Sequence, residues 1–271
     1  MTDVQVFCES LVVICLMRVS IAGAYHKRLS MIPCLLSSLS HGLTPTNRLK
    51  LHENVWYCIC HTVSFTINAW ILLQTTWLKS LALHRDFTVL HRGVPSHPLS
   101  QYGRSFYMVS LAFWTSCILF LAVETRRKDF QKLVMHHILT FILVIGSFVY
   151  NFHRLGMLVL LLHDVVDILL YFAKSLNYKQ YHTLADIFFG IFAILFFFCR
   201  IILLPIYCII PSFIAMISTF EGTALIVSLI LPIMLTCLYG LQIFWWRIIW
   251  LMVLKTLSGK HVEKDSRSDD D

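Results

Sequence analysis

Residues 127–178 read RKDFQKLVMHHILTFILVIGSFVYNFHRLGMLVLLLHDVVDILLYFAKSLNY, and this stretch decides the fold. Two apolar runs, 134–151 and 155–175, flank a very short polar link around Phe152–Arg154. A bilayer's hydrocarbon core is spanned by about 20 mostly apolar residues in a helix. A helix is also one of the few structures that satisfies its own backbone without water. Each run is therefore read as a span, and the short link makes the pair an antiparallel hairpin.

The same pattern continues outward. Of the 271 residues, 58% are hydrophobic and only 14% charged, whereas soluble domains carry about 25% charged residues. Seven spans are expected, at 4–24, 55–75, 105–123, 134–151, 155–175, 184–204 and 223–244. The fold class is all-α, a polytopic bundle of about seven helices enclosing a cytosol-facing cavity. Glu9 and Arg18 interrupt the first span. It has no basic segment before it and no small-residue cleavage site after it, so it is read as an uncleaved helix. Three regions follow: 1–54, a first span and cytosolic amphipathic linker; 55–254, the main membrane domain; and 255–271, an acidic, aperiodic tail expected to be disordered.

Lys and Arg counts set the orientation. With the N-terminus lumenal, the cytosolic segments hold fourteen of them and the lumenal segments five. The C-terminus is then cytosolic, and the uncharged 205–222 segment is a lumenal loop. Trp245, Trp246 and Trp250, beside Arg247, look like an aromatic belt where the last helix leaves the hydrocarbon. The net charge of +7 follows from this topology, so no nucleic-acid partner is expected. Nine cysteines without a Cys-x-x-Cys pair are read as small buried hydrophobes.

Ionisable side chains inside a span cost about 2.5–3.5 kcal/mol on insertion scales and so mark function. They concentrate in the hairpin: His136 and His137, Asn151 at the turn, then His163, Asp164 and Asp167. His163 and Asp167 are four apart, Asp164 and Asp167 three apart, so the three form one stripe. His136 shares a face with Thr140. Asp167 is seven residues, roughly 10 Å, from Lys174 at the cytosolic end of its helix. Both clusters thus fall in the same half of the membrane.

Histidine and carboxylate in a dry cavity suit acyl transfer. An imidazole takes the proton of an attacking amine, or accepts the acyl group itself, and a carboxylate on its other nitrogen fixes the tautomer. A metal-dependent lipid hydroxylase is a second reading, although such sites need more histidines than the HH and HD pairs here. No metal-ligand set is expected. Inter-helix glue is a third, plainer reading, and it suits Asn151 and Arg154 at the turn.

The hairpin also resembles the longevity-assurance motif of ceramide synthases in the TRAM/LAG/CLN8 (TLC) group. The pattern RKDF, HHxxT, S, N, R-x-G, HDxxD, AK and NY is carried by Arg127–Phe130, His136, His137, Thr140, Ser147, Asn151, Arg154, Gly156, His163, Asp164, Asp167, Ala173, Lys174, Asn177 and Tyr178. Glu53 and Trp56 resemble the family's E-x-x-W, and Asp186, Arg200 and Pro205 sit where its sixth span carries Asp, Arg and Pro. Two departures stand out. Tyr171 replaces a frequent Glu, and the homeobox-like segment of several animal members is missing, since only Ser40–His52 separates the amphipathic region from the second span.

The resemblance implies an enzyme of the endoplasmic reticulum membrane that N-acylates a sphingoid base from acyl-CoA. No cofactor is then expected, acyl-CoA being a co-substrate. A homo- or heterodimer is compatible with the sequence but not specified by it. His136 becomes the main catalytic histidine, with Asp164 and Asp167 orienting and balancing it, while His137 and His163 shape the pocket. Arg127, Lys128 and Lys174, with Arg126 and Lys179, are candidates for the phosphates of CoA. Asn151 and Arg154 are carried as substrate-side residues, and 205–222 as the segment that limits acyl length. Ser266 and Ser268, before acidic residues, are candidate phosphorylation sites. A non-enzymatic TLC protein, such as a translocation chaperone or lipid-composition factor, is the rival, and Asp164 and Asp167 argue against it.

Overall fold

A computed structural model describes residues 2–23, 42–90, 99–121, 129–222, 225 and 228–258. Among these the chain is all helix and turn. The order is α1 (Asp3–Gly23), α2 (Pro45–Leu73), α3 (Thr76–His84) with a 3-10 turn at Phe87–Leu90, α4 (Gln101–Phe120), α5 (Phe130–Val149), α6 (His153–Tyr178), α7 (His182–Phe196), π-helical stretches at Phe197–Leu203 and Pro205–Ile209, α8 (Ile210–Thr219) and α9 (Ile230–Leu257). Five stretches are long and apolar enough to cross a membrane: Pro45–Leu73, Phe130–Val149, His153–Tyr178, His182–Ser218 and Ile230–Leu257. Two further helices, α1 of 21 residues and α4 of 20, pack along one another. At about 1.5 Å per residue, each is about 30 Å long.

Polarity along the helices runs opposite to that of a soluble bundle. On α5, Ile138, Ile142 and Ile145 point outward while His136, His137, Thr140 and Ser147 are buried. On α7, Ile187, Ile191 and Ile194 face out and Ala185, Phe192, Ala193 and Phe196 face in. So large an apolar surface is stable in lipid and would aggregate in water. The chain is a multi-pass membrane protein.

Helix α6 is the central element, packed against α2 along one flank and α7 along the other. Its start is pinned at the α5–α6 turn. Asn151 adopts a left-handed φ of 60°, a conformation Asn tolerates better than most residues. Tyr107 Oη donates to the His153 carbonyl at 3.0 Å and lies 3.2 Å from Ser147 Oγ. Gly156 is required here, because a Cβ would stand 2.2 Å from that hydroxyl and 2.6 Å from Ser147 Oγ. Asn68 of α2 donates to the Met157 carbonyl at 2.9 Å. Arg154 donates to the Val89 carbonyl and lies over the Trp77 ring. This end is closed by α3 and the 3-10 turn, whose Leu81, Val89 and Leu90 pack on Leu204, Cys208 and Ile209.

Three expectations need correction. Helix α2 starts at Pro45, capped by the Thr44 hydroxyl accepting from Asn47 N, so the linker expected up to residue 54 is partly helix. The expected 205–222 loop is helical as far as Thr219. Pro205 lacks the N–H that an α-helix would direct at the Ile201 carbonyl, but Tyr239 Oη donates to that carbonyl at 3.1 Å. The turn shifts to π geometry and the helix continues. Finally, α9 runs Ile230–Leu257 rather than 223–244, so the tryptophans expected at its exit lie well inside it. Trp245 is buried and Trp246 stacks on Phe196.

Candidate active site

A cavity of about 140 Å³ opens among α2, α4, α5, α6, α7 and α9, toward the end that carries Phe130, Tyr178 and Leu257. His136, His137, Asp167 and Lys174 line it, as the sequence pattern anticipates. Also on its wall are His61 and Tyr57 of α2, Trp114 of α4, Arg200 of the first π stretch and Trp245 of α9.

Helix α5 brings in the paired histidines. The His136 ring meets Trp245 edge-on at 5.2 Å and Trp114 at 6.1 Å. His137 lies 5.6 Å from the same Trp114 ring. His136 Nδ1 is buried and makes no hydrogen bond, and Thr140 Oγ1, one turn along, is likewise unpaired. Trp245 is fixed by its own donor, with Nε1 2.9 Å from Asp129 Oδ2.

The α6 stripe forms as expected, but its members part company. Asp164 turns to α2, with Oδ1 2.8 Å from His61 Nδ1 and Oδ2 accepting from Ser64 Oγ at 2.6 Å. Asp167 turns to the π stretch, where Arg200 Nη2 donates to Oδ2 at 2.7 Å. The same nitrogen donates to the His163 carbonyl at 2.8 Å, and Arg200 Nη1 is 3.4 Å from Gln242 Oε1. His163 packs behind the cavity without lining it. Its Nδ1 meets the Val159 carbonyl at 2.8 Å and its Nε2 meets Gln242 Nε2 at 3.3 Å. The expected pairing of His136 with these carboxylates is therefore corrected. Residues three apart on a helix diverge by about 60°, and α6 lies between two helices that each claim one carboxylate.

Other expected residues fall elsewhere. Asn151 and Arg154 are at the turn, at the far end of α6 from Lys174, and neither lines this cavity. Arg126, Arg127, Lys128, Ser266, Ser268 and the tail from 259 lie outside the described residues. Tyr171, in the place of the pattern's Glu, is a wall residue, stacked on Tyr57 at 5.0 Å and on His61 at 5.6 Å. Sequence reading passed over His61 and Gln242 and took Trp245 for an interfacial residue. The signal for His61 was present, since it is an ionisable residue inside a span. Among the described residues no three of His, Cys, Asp and Glu converge as metal ligands would.

Arg200 sits in the π-helical stretch Phe197–Leu203, and such insertions are frequent at functional sites. The TLC-domain family model matches residues 50–251, from early α2 into the last turns of α9. The chain belongs to the TLC-domain family. Within it, the chain is similar to bovine ceramide synthase 4, 32% identical over 81% of this chain and 54% of the relative. It is 33% identical to rice ASC1-like protein 3, over 82% of this chain and 78% of the relative. It is 28% identical to Arabidopsis ceramide synthase LOH2, over 86% and 80%. The chain thus spans about half the length of its bovine relative and about four-fifths of the plant ones. Helix α1 lies outside the matched TLC domain, yet it reaches the site: Arg18 is buried, donates to Tyr57 Oη and lies over the Tyr57 and Phe120 rings.

Proposed function

We propose that this protein N-acylates a sphingoid base with a fatty acyl group from acyl-CoA, forming (dihydro)ceramide. The observation that carries the reading is His136, whose ring edges a cavity with one nitrogen buried and unpaired, among aromatic walls that also hold a carboxylate–guanidinium pair whose arginine is buried. A thioester carbonyl held there is attacked by the free-base amine. One proton leaves the nitrogen as the C–N bond forms, and the C–S bond breaks. That proton ends on the departing thiolate, leaving an amide and CoA. Imidazole is the group able to hold a proton through such a sequence near neutral pH. Covalent acylation of His136 before amine attack uses the same atoms in two steps.

Lys174, which lines the cavity, would meet the CoA phosphates, joined by Arg127 and Lys128. Asp167 and Arg200 would hold the cavity's charge balance fixed while the acyl carbonyl develops negative charge. A second, apolar cavity of about 50 Å³ lies toward the closed end between α5, α6, α8 and α9, with Ser212 and Met216 on its wall. We place the limit on acyl length there, in helix rather than loop. The protein would sit in the endoplasmic reticulum membrane with its N-terminus lumenal and the cavity open to the cytosol, where acyl-CoA arrives.

The test is expression of the wild type and His136→Ala in cells lacking their own ceramide synthesis, followed by profiling of N-acyl lipids. Ceramide is expected from the wild type alone. Equal ceramide from both would remove His136 from the mechanism. None from either, with both proteins present in the membrane, would favour the non-enzymatic TLC reading.

A further inference from the structure

Three imidazoles face the cavity, His136 and His137 from α5 and His61 from α2, and His61 has a carboxylate behind it. Its Nδ1 lies 2.8 Å from Asp164 Oδ1, and the second carboxylate oxygen is occupied by the Ser64 hydroxyl at 2.6 Å. An ionised carboxylate only accepts, so the bridging proton sits on Nδ1 and the Nε2 lone pair is left unprotonated. His61 lines the cavity, and among the described residues no hydrogen bond engages Nε2. The ring is also held on its faces and edges. Tyr171 stacks on it with an 11° interplanar angle, Phe113 meets it edge-on at 5.5 Å, and Trp114 borders it at 6.4 Å. The same Trp114 borders His136 at 6.1 Å, so both rings flank one indole.

A ring with a fixed tautomer, an anion on one nitrogen and an open lone pair on the other is the arrangement of a general base. His136 lacks it, having no hydrogen bond to either oxygen-bearing neighbour that sequence spacing would assign it. We propose that His61, backed by Asp164 and Ser64, is the imidazole that holds the proton in the acyl transfer, while His136, on the same cavity wall, orients the acyl carbonyl: His61 Nε2 takes the amine proton as the C–N bond forms. When the C–S bond breaks, the imidazolium returns that proton to the CoA thiolate, and His61 is neutral again. Asp164 stays ionised throughout and stabilises the transient imidazolium. Asp164 is a positioning residue, acting through His61 rather than on substrate. The inference rests on the N-acyltransferase reading above.

The experiment uses the full chain purified in detergent, with a fatty acyl-CoA and a sphingoid base as probes and free CoA release as the readout. His61→Gln keeps a hydrogen bond to Asp164 but cannot hold a proton. Its kcat is expected to fall about 10²- to 10⁴-fold, the usual worth of a positioned base, with KM for acyl-CoA little changed. Asp164→Asn is close to isosteric. Its amide donates to Nδ1, forces the proton onto Nε2 and is expected to lower kcat comparably. His61→Ala is expected to regain activity with added imidazole, which a merely structural role would not produce. A kcat within about threefold of wild type in Asp164→Asn, or in folded His61→Gln, would overturn the proposal. No product from the wild type would remove the transferase reading itself. Product from the wild type with His61 dispensable removes only the base.

Discussion

The two ends of the α5–α6 hairpin are both rich in polar residues, and they use them differently. At the turn, side chains bind backbone: Tyr107 to the His153 carbonyl, Asn68 to the Met157 carbonyl, Arg154 to the Val89 carbonyl. At the other end, side chains bind side chains around open space: His61 with Asp164, Arg200 with Asp167, Trp245 with Asp129. Backbone ties fix where the chain goes. Side-chain pairs on a cavity wall leave protons and charges able to respond to a ligand. In a membrane protein, where every buried polar group is expensive, the type of partner separates fold from function better than the mere presence of polarity.

The largest test of that contrast is the Arg200–Asp167 pair. Arg200 is only 4% exposed, and removing one partner of a buried ion pair costs about 3–5 kcal/mol because the other charge is stranded. Arg200→Met should therefore unfold at markedly lower temperature in detergent. Arg200→Met/Asp167→Leu should regain most of that stability, since both charges are gone, yet still make no ceramide, because both residues face the cavity. Stability and activity would be read on the same preparation. If the double variant regains both, the pair belongs with the backbone ties after all.

Gly156 offers the opposite outcome at a smaller magnitude. A methyl there meets the Tyr107 hydroxyl at 2.2 Å, and overpacking of this kind costs about 1–3 kcal/mol. Gly156→Ala should lower the unfolding temperature, and adding Tyr107→Phe should recover part of the loss by removing the obstructing oxygen. Activity per folded molecule should hardly change in either, measured as CoA release normalised to folded protein. A selective loss of kcat would show that the turn end communicates with the site.

The hairpin itself was legible in the sequence. Span length, a short link and the 163–164–167 spacing are local properties, and the helix follows from them. What spacing cannot supply is the neighbour. Asp164 and His61 are 103 residues apart and Arg200 is 37 from the His163 carbonyl it binds, so which carboxylate faces which helix depends on how α6 is sandwiched. The continuous helix through Pro205 was misread for a related reason. A proline normally ends a helix, and it is tolerated in a membrane when a neighbour satisfies the freed carbonyl, here Tyr239 from α9. Trp245 was misplaced because aromatic residues serve both as interfacial anchors and as cavity walls. Its burial, its contact with His136 and its Asp129 partner tell the two apart.

A pair of side chains without a cavity should behave like neither end, and α1 with α4 provides one. Arg104 Nη1 donates to Asp3 Oδ2 at 3.0 Å, but the arginine is 52% exposed and the aspartate 35%. Such a pair is screened by solvent and is worth less than about 1 kcal/mol. Arg104→Gln is expected to leave both the unfolding temperature and CoA release within experimental scatter of wild type. Arg18, on the same α1 helix but buried against Tyr57 and Phe120, provides the internal control. Arg18→Met would remove the donor to Tyr57, a cavity-wall residue, and should lower activity while Arg104→Gln does not. Equal effects would mean that α1 matters to the site only as a packed helix, and that the guanidinium reaching Tyr57 adds nothing to it.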